Sequence, residues 1–193
     1  MGTLKRDEIR AVILVAAGIM AVTLMPYLAA LQMAPPGSDF AGFIWGVDEG
    51  NVYLAWIRQA SEGRILLANQ YTTQPQNPHF FNLFLLVAGW ISRLATLAPI
   101  YIFHAFRFLG GVFALTALYW LVSLLTQDRW IRCAALGITA LGSGLGWIVA
   151  LFDPTGSWGI HPVDVGVNWQ VQPEAVTFVS ALLNPLFITS MGL

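Results

Sequence analysis

A chain of 193 residues with 57% hydrophobic and 10% charged side chains has too little polar surface to cover a soluble core, since soluble domains carry about 25% charged residues. A formal net charge of −1 excludes a global field for nucleic acid or an acidic polymer, and a lone cysteine, Cys133, excludes an internal disulfide framework and a cysteine metal cage. The lipid bilayer is the expected surrounding, and the expected fold class is all-α: a polytopic membrane helix bundle forming one transmembrane module over residues 1–193.

Ala11 to Ser38 carries no charge, and its apolar part, residues 11–33, is long enough to cross a hydrocarbon core of ~30 Å as a helix. Lys5, Arg6 and Arg10 in front of it resemble a signal-peptide n-region. The apolar stretch nevertheless exceeds an h-region of about 7–15 residues and offers no convincing cleavage site, which predicts an anchor that stays.

Ala34-Pro35-Pro36-Gly37-Ser38 ends this helix. A second helix is predicted over 48–62, with Asp48 as N-cap and Gly63 as the stop. Val52, Trp56 and Ile57, with Tyr53 and Ala60 nearby, form its apolar side, so it is expected to lie flat on the outer leaflet. Asn69 to His79 reads as a polar, turn-rich loop, suited equally to binding a hydroxyl-rich or phosphate-bearing ligand and to serving as a solvated connector. His79 has no second ligand at metal spacing.

A helix over 79–97 follows, but its uninterrupted apolar part, Phe80 to Ile91, is shorter than the ~17 residues a crossing needs; it is expected to be interfacial or re-entrant. Further spans are predicted over 105–126, 131–152 and 175–193. Gly110-Gly111 and the glycines of Gly142-Ser143-Gly144-Leu145-Gly146 read as close helix approaches, and no Lys-Ser/Thr follows the latter to make a phosphate loop.

Basic residues mark the cytoplasmic side of short loops. The first ten residues and the turn holding Arg129 and Arg132 are therefore expected inside, which leaves residues 34 to about 105 and 153 to about 174 as two outer loops. If Phe80 to Leu97 crosses instead, the Arg129 turn flips outward.

The second outer loop holds Asp153, His161, Asp164 and, just after Pro173, Glu174. An acid at the mouth of a span faces water or a polar cavity and is a functional candidate. No Gly-x-Ser-x-Gly elbow and no His-Glu-x-x-His motif occurs in the chain. A transporter component would show polar groups near the midplane and internal repeats, and neither is evident. A non-catalytic assembly subunit, docking through Trp45, Trp158 and Trp169, is the third class.

The order of features resembles the N-terminal part of a GT-C type glycosyltransferase. Asp48-Glu49-Gly50-Asn51-Val52-Tyr53 is similar to that family's acidic motif in the first outer loop. Ala55 to Gly63, Gln74 to Pro78 and Phe80 to Trp90 resemble its interfacial helix, proline-containing stretch and second apolar helix. Arg107 and Pro173-Glu174-Ala175 match its span-opening arginine and second-loop acid. Members usually have eight or more spans, so the chain is expected to be a C-terminally truncated piece.

The resemblance implies hexosyl or pentosyl transfer from a polyprenyl-phosphate sugar donor to an unidentified acceptor outside the cytoplasm, by a multi-pass cell-membrane protein whose N-terminus is cytoplasmic. It implies Asp48 as general base, with Glu49 as alternate because Asp48 stands five residues before Tyr53 rather than four, and Glu174 as the second-loop acid. Arg107, Arg58 and Arg64 are implied at the leaving phosphate, and Tyr53, His79 and Asp164 elsewhere around substrate. A divalent cation, Mg²⁺ or Mn²⁺, is implied only where a member uses one.

Overall fold

The structure is a computed structural model describing residues 5–38, 40–44 and 47–142, with single positions 181, 185, 188, 189 and 192 near the C-terminus. The predicted span 175–193 and the second half of 131–152 lie largely outside the described residues. What is described is helical: α1 Arg6–Val22, α2 Met25–Gln32, α3 Val47–Ser61, α4 Leu83–Ala95, α5 Pro99–Leu125 and α6 Arg129–Leu141. Among these residues the extended backbone pairing is one antiparallel bridge between Leu67 and Phe80.

Two stretches are long and apolar enough to cross a bilayer: Arg6–Gln32, which joins α1 to α2, and α5, each of 27 residues. This points to membrane association. The first stretch is broken at Thr23 and Leu24 because Pro26 has no N–H for the Val22 carbonyl and its ring crowds that carbonyl. The chain tightens there, with Leu24 N–H bonded to the Ala21 carbonyl at 3.0 Å.

Helix α5 starts at Pro99, six positions earlier than the predicted 105. Proline fits a first helical position, where its missing N–H is not needed. Arg107 therefore stands over two turns, ~12 Å, inside the helix rather than at its mouth. Helix α4 is shorter than predicted. Asn82 caps it by accepting from Leu85 N–H at 3.1 Å, and Thr96, left-handed at φ 53°, ends it. The Leu97 N–H then returns to the Ser92 carbonyl at 3.1 Å, a helix stop usually given to glycine.

The chain divides into two compact units, residues 1–20 with 110–193, and residues 21–109. In the first, Val12 and Ala16 of α1, Leu115 and Tyr119 of α5, and Leu136 and Ala140 of α6 form one core. Each pair is spaced i, i+4, so each helix turns a single stripe inward. The glycines in the middle of α5 do sit at close approaches: a methyl on Gly111 would strike the Met20 side chain, and one on Gly110 the Thr189 hydroxyl.

At one end of this core Glu8 forms an ion pair with Arg132 at 2.9 Å and accepts from the Tyr119 hydroxyl at 2.6 Å. Arg132 also donates to the Gln127 carbonyl at 3.0 Å. The pair is largely buried, at 10% and 17% side-chain exposure, so deleting one partner strands the other. Glu8→Ala is expected to lower stability by about 3 kcal/mol, read as an earlier thermal transition in detergent.

In the second unit α3 packs on α4. Ile57 and Ala60 are buried, and Gly89 of α4 lets the backbones touch. A methyl at Gly89 would collide with the Ala60 Cβ and stand 2.6 Å from the Ile57 carbonyl oxygen. The apolar side of α3 is thus covered in part by protein, where the pattern alone reads as a face for the leaflet. Gly89→Val is expected to force the pair apart and lower stability by about 2–3 kcal/mol, checked by the same thermal transition.

Candidate functional site

The site lies in the unit of residues 21–109 and is organised by the first turns of α5. Ile100, Phe103, His104 and Arg107 recur at i, i+3, i+4 and i+7, one face of a helix. Arg107 is fully buried, with 0% exposure. Its Nη1 donates to Thr23 Oγ1 at 3.2 Å, and its guanidinium lies 4.5 Å from the centre of the Tyr27 ring. Thr23 and Tyr27, one turn apart across the Pro26 break, present a hydroxyl and an aromatic face to the cation.

His104 packs edge-on to Tyr27 with ring centres 4.7 Å apart, and its Nε2 lies 2.9 Å from the Gly42 carbonyl. A carbonyl only accepts, so Nε2 carries the hydrogen. Gly42 has φ +88°, and a side chain there would meet Ile100 Cδ1 at 2.6 Å; only glycine suits both the turn and the approach. Phe43 next to it is buried, its ring 5.4 Å from that of Phe103.

The acidic turn is reached through Phe43. A methyl on Gly50 would stand 2.6 Å from the Phe43 ring, so glycine beside Asp48 and Glu49 seats the start of α3 on that ring. Helix α3 begins at Val47, which makes Asp48 a first-turn residue rather than the expected N-cap. Both carboxylates are exposed, near the positive end of the helix dipole, and among the described residues neither makes an ion pair.

Other predicted residues divide by environment. Tyr53 is half-buried, its ring 6.0 Å from Trp56 and 6.4 Å from Phe103. Arg58 is exposed and pairs with Glu62 at 3.4 Å. Arg64 is exposed just past Gly63, and exposed His79 has Nδ1 2.9 Å from the Asn77 carbonyl oxygen. Glu174 and Asp164 lie outside the described residues.

The polar loop is fastened to α3 by a residue not anticipated from the pattern. Buried Gln59 accepts from Ala68 N–H at 2.9 Å and donates to the Ala68 carbonyl at 3.0 Å, and Trp56 Nε1 donates to the same carbonyl at 3.2 Å. The Leu67–Phe80 bridge closes the loop base, with N···O distances of 2.8 and 3.2 Å.

Thr23, Tyr27, Gln59 and His104 are therefore site residues that sequence reasoning missed. Their signal was polar side chains inside apolar or amphipathic helices. Among the described residues no group of three or more His, Cys, Asp or Glu side chains is placed to hold a metal ion. A cleft of about 370 Å³ in the other unit is apolar. Among the described residues its hydroxyls donate, Thr116 to the Val112 carbonyl and Tyr119 to Glu8.

No family model matches the chain, and neither curated proteins nor solved structures give a match.

Proposed function

We propose that the chain is a multi-pass membrane glycosyltransferase of the GT-C kind, with a cytoplasmic N-terminus, moving a sugar from a polyprenyl-phosphate donor to an acceptor hydroxyl on the non-cytoplasmic face. The observation that carries the reading is an exposed acidic turn, Asp48-Glu49, tethered through Gly50, Phe43 and Gly42 to an apolar helix that encloses a cation, Arg107. Ionisable groups within apolar spans are costly and mark function. The acidic turn is exposed, so an acceptor hydroxyl can come within hydrogen-bond reach of it.

In this reaction Asp48, or Glu49 in its place, takes the acceptor hydroxyl proton. The freed oxygen pair attacks the anomeric carbon, and the bond from that carbon to the phosphate oxygen breaks, leaving its electrons on the lipid phosphate. Cations and N–H donors stabilise that charge. Arg107 is enclosed, whereas Arg58, in a surface pair with Glu62, and Arg64 are both exposed and open to a phosphate. Tyr53 and His79 are the other substrate-binding residues of the first loop in this reading. Glu174 and Asp164 of the second loop supply the remaining acids, and no step runs through a metal.

Membranes from cells expressing the protein are expected to move radiolabelled sugar from a polyprenyl-phosphate donor faster than membranes lacking it; equal rates count against the reading. A second reading, a transporter component, draws on the depth of Arg107 inside α5. Solute flux in sealed vesicles without sugar transfer is its signature.

A further inference from the structure

We infer that the apolar cleft in the unit of residues 1–20 with 110–193 holds one acyl chain of an anionic phospholipid, whose phosphate is taken by Lys5 and Arg6 at the mouth of the cleft. The inference rests on the membrane residence proposed above, not on sugar transfer.

Two helix stripes make the walls. Ile9 and Val12 of α1 line the cleft on one side, and Phe113, Thr116, Ala117 and Trp120 of α5 on the other. The α5 residues recur at i, i+3, i+4 and i+7, a single helix face, and the stripe rises ~10 Å from Phe113 to Trp120. Gly192 lines the end by Phe113, where a methyl on it would stand 2.7 Å from that ring. The volume, about 370 Å³, lies in the range of ligand sites. The hydroxyls of the walls donate into the protein, Thr116 to the Val112 carbonyl at 2.7 Å and Tyr119 to Glu8 at 2.6 Å. What the walls present is carbon surface, which favours an alkyl chain over a sugar.

The mouth is basic. Lys5 and Arg6 precede Ile9 by four and three residues, and the Ile9 N–H bonds to the Lys5 carbonyl at 3.1 Å, so both stand one helical turn beyond Ile9 on its side of the chain. The charge-free run opens at Ala11, which puts these cations at the level of lipid phosphates. Trp120, 57% exposed at the same end, suits the headgroup zone. The acids of this end are committed elsewhere: Glu8 to Arg132 and Tyr119, Asp7 to Arg10 at 3.8 Å, and Asp128 to the Trp130 N–H at 2.8 Å. Among the described residues Lys5, Arg6 and Arg129 are exposed and make no ion pair. A cation at the N-terminal end of a helix opposes its dipole, so α1 gains no stability from Lys5 and Arg6, and an anion bound there offsets their cost. Uncompensated cations at headgroup level over a carbon-lined cleft complement a negative head joined to an alkyl tail, the chemistry of an anionic phospholipid.

The test is lipid titration of the purified protein in neutral detergent, read by native mass spectrometry, with phosphatidylglycerol and phosphatidylcholine of identical chains. One phosphatidylglycerol per chain is expected to bind at concentrations where phosphatidylcholine does not. The double variant Lys5→Gln with Arg6→Gln is expected to bind it ~30-fold more weakly, about 5-fold for each cation lost, with the thermal transition unchanged. Ala117→Trp fills the cleft and is expected to abolish binding; Ile9→Trp, at an exposed position of the other wall, replaces it where Ala117→Trp does not fold. Equal binding of the two lipids, or undiminished binding in the double variant, overturns the assignment of the head. Undiminished binding in the filled variants means adsorption to surface charge and overturns the cleft. Polyprenyl phosphate that displaces phosphatidylglycerol at equal concentration overturns the choice of a phospholipid, and a lipid-free dimer that Ala117→Trp dissociates puts a second copy in the cleft instead. A chain that fails to float with vesicles of the same lipids overturns the membrane reading beneath the inference, whatever the transfer assay gives.

Discussion

Asp48→Asn is expected to lower sugar transfer by ~10²–10⁴-fold, the usual worth of a positioned proton acceptor, with the amount of protein in the membrane unchanged. Asp48 is exposed in the first turn of α3 and makes no described ion pair, so an amide of the same shape disturbs no packing. The seat of the turn, Gly50 on the Phe43 ring, is untouched. The adjacent Glu49→Gln variant separates the two acids: a full loss there with Asp48→Asn active moves the base to Glu49. Initial rates with a labelled donor, normalised to protein in the membrane, read the result.

Arg107→Met is expected to have the second-largest effect, and on two readouts. The side chains are of comparable length, so the change mainly removes the cation that donates to Thr23 and lies over Tyr27. A hydrogen bond from a charged group contributes about 1.5–3 kcal/mol, so the thermal transition in detergent falls. Transfer falls at least ~10-fold as well, because α5 positions Gly42 and Phe43 beneath the acidic turn. Arg107→Lys is expected to recover only part of either, since a point charge on a flexible stem does not reproduce a planar guanidinium stacked on a ring. Unchanged transfer and unchanged stability in Arg107→Met would remove Arg107 from the site.

The helices were legible where periodicity and length carried them. Residues 11–33 match the broken stretch Arg6–Gln32, and 48–62 matches α3 to within one residue at each end. Ends failed where local chemistry outweighed pattern. Pro99 started α5 early because proline fits a first helical turn, and Thr96 took a stop that the sequence gives no reason to expect of a β-branched residue. Pro26 was present to be read as a break inside the first stretch, but hydropathy masks it.

The site was half legible. The acids and Arg107 stand out as charges in an apolar chain, whereas the groups that hold them are uncharged. Gln59 fastens Ala68 and Gly50 admits Phe43 through contacts between segments distant in sequence, which no linear pattern encodes. The apolar side of α3 was read as lipid-facing because a stripe meant for α4 and a stripe meant for a leaflet have the same period.

Donor choice by the purified protein in proteoliposomes reads out transfer from a polyprenyl-phosphate sugar directly. Radiolabel is expected to leave a polyprenyl-phosphate sugar and join acceptor, and to stay on a nucleotide sugar offered under the same conditions. Label that stays on the polyprenyl donor, or that leaves the nucleotide sugar instead, contradicts the account.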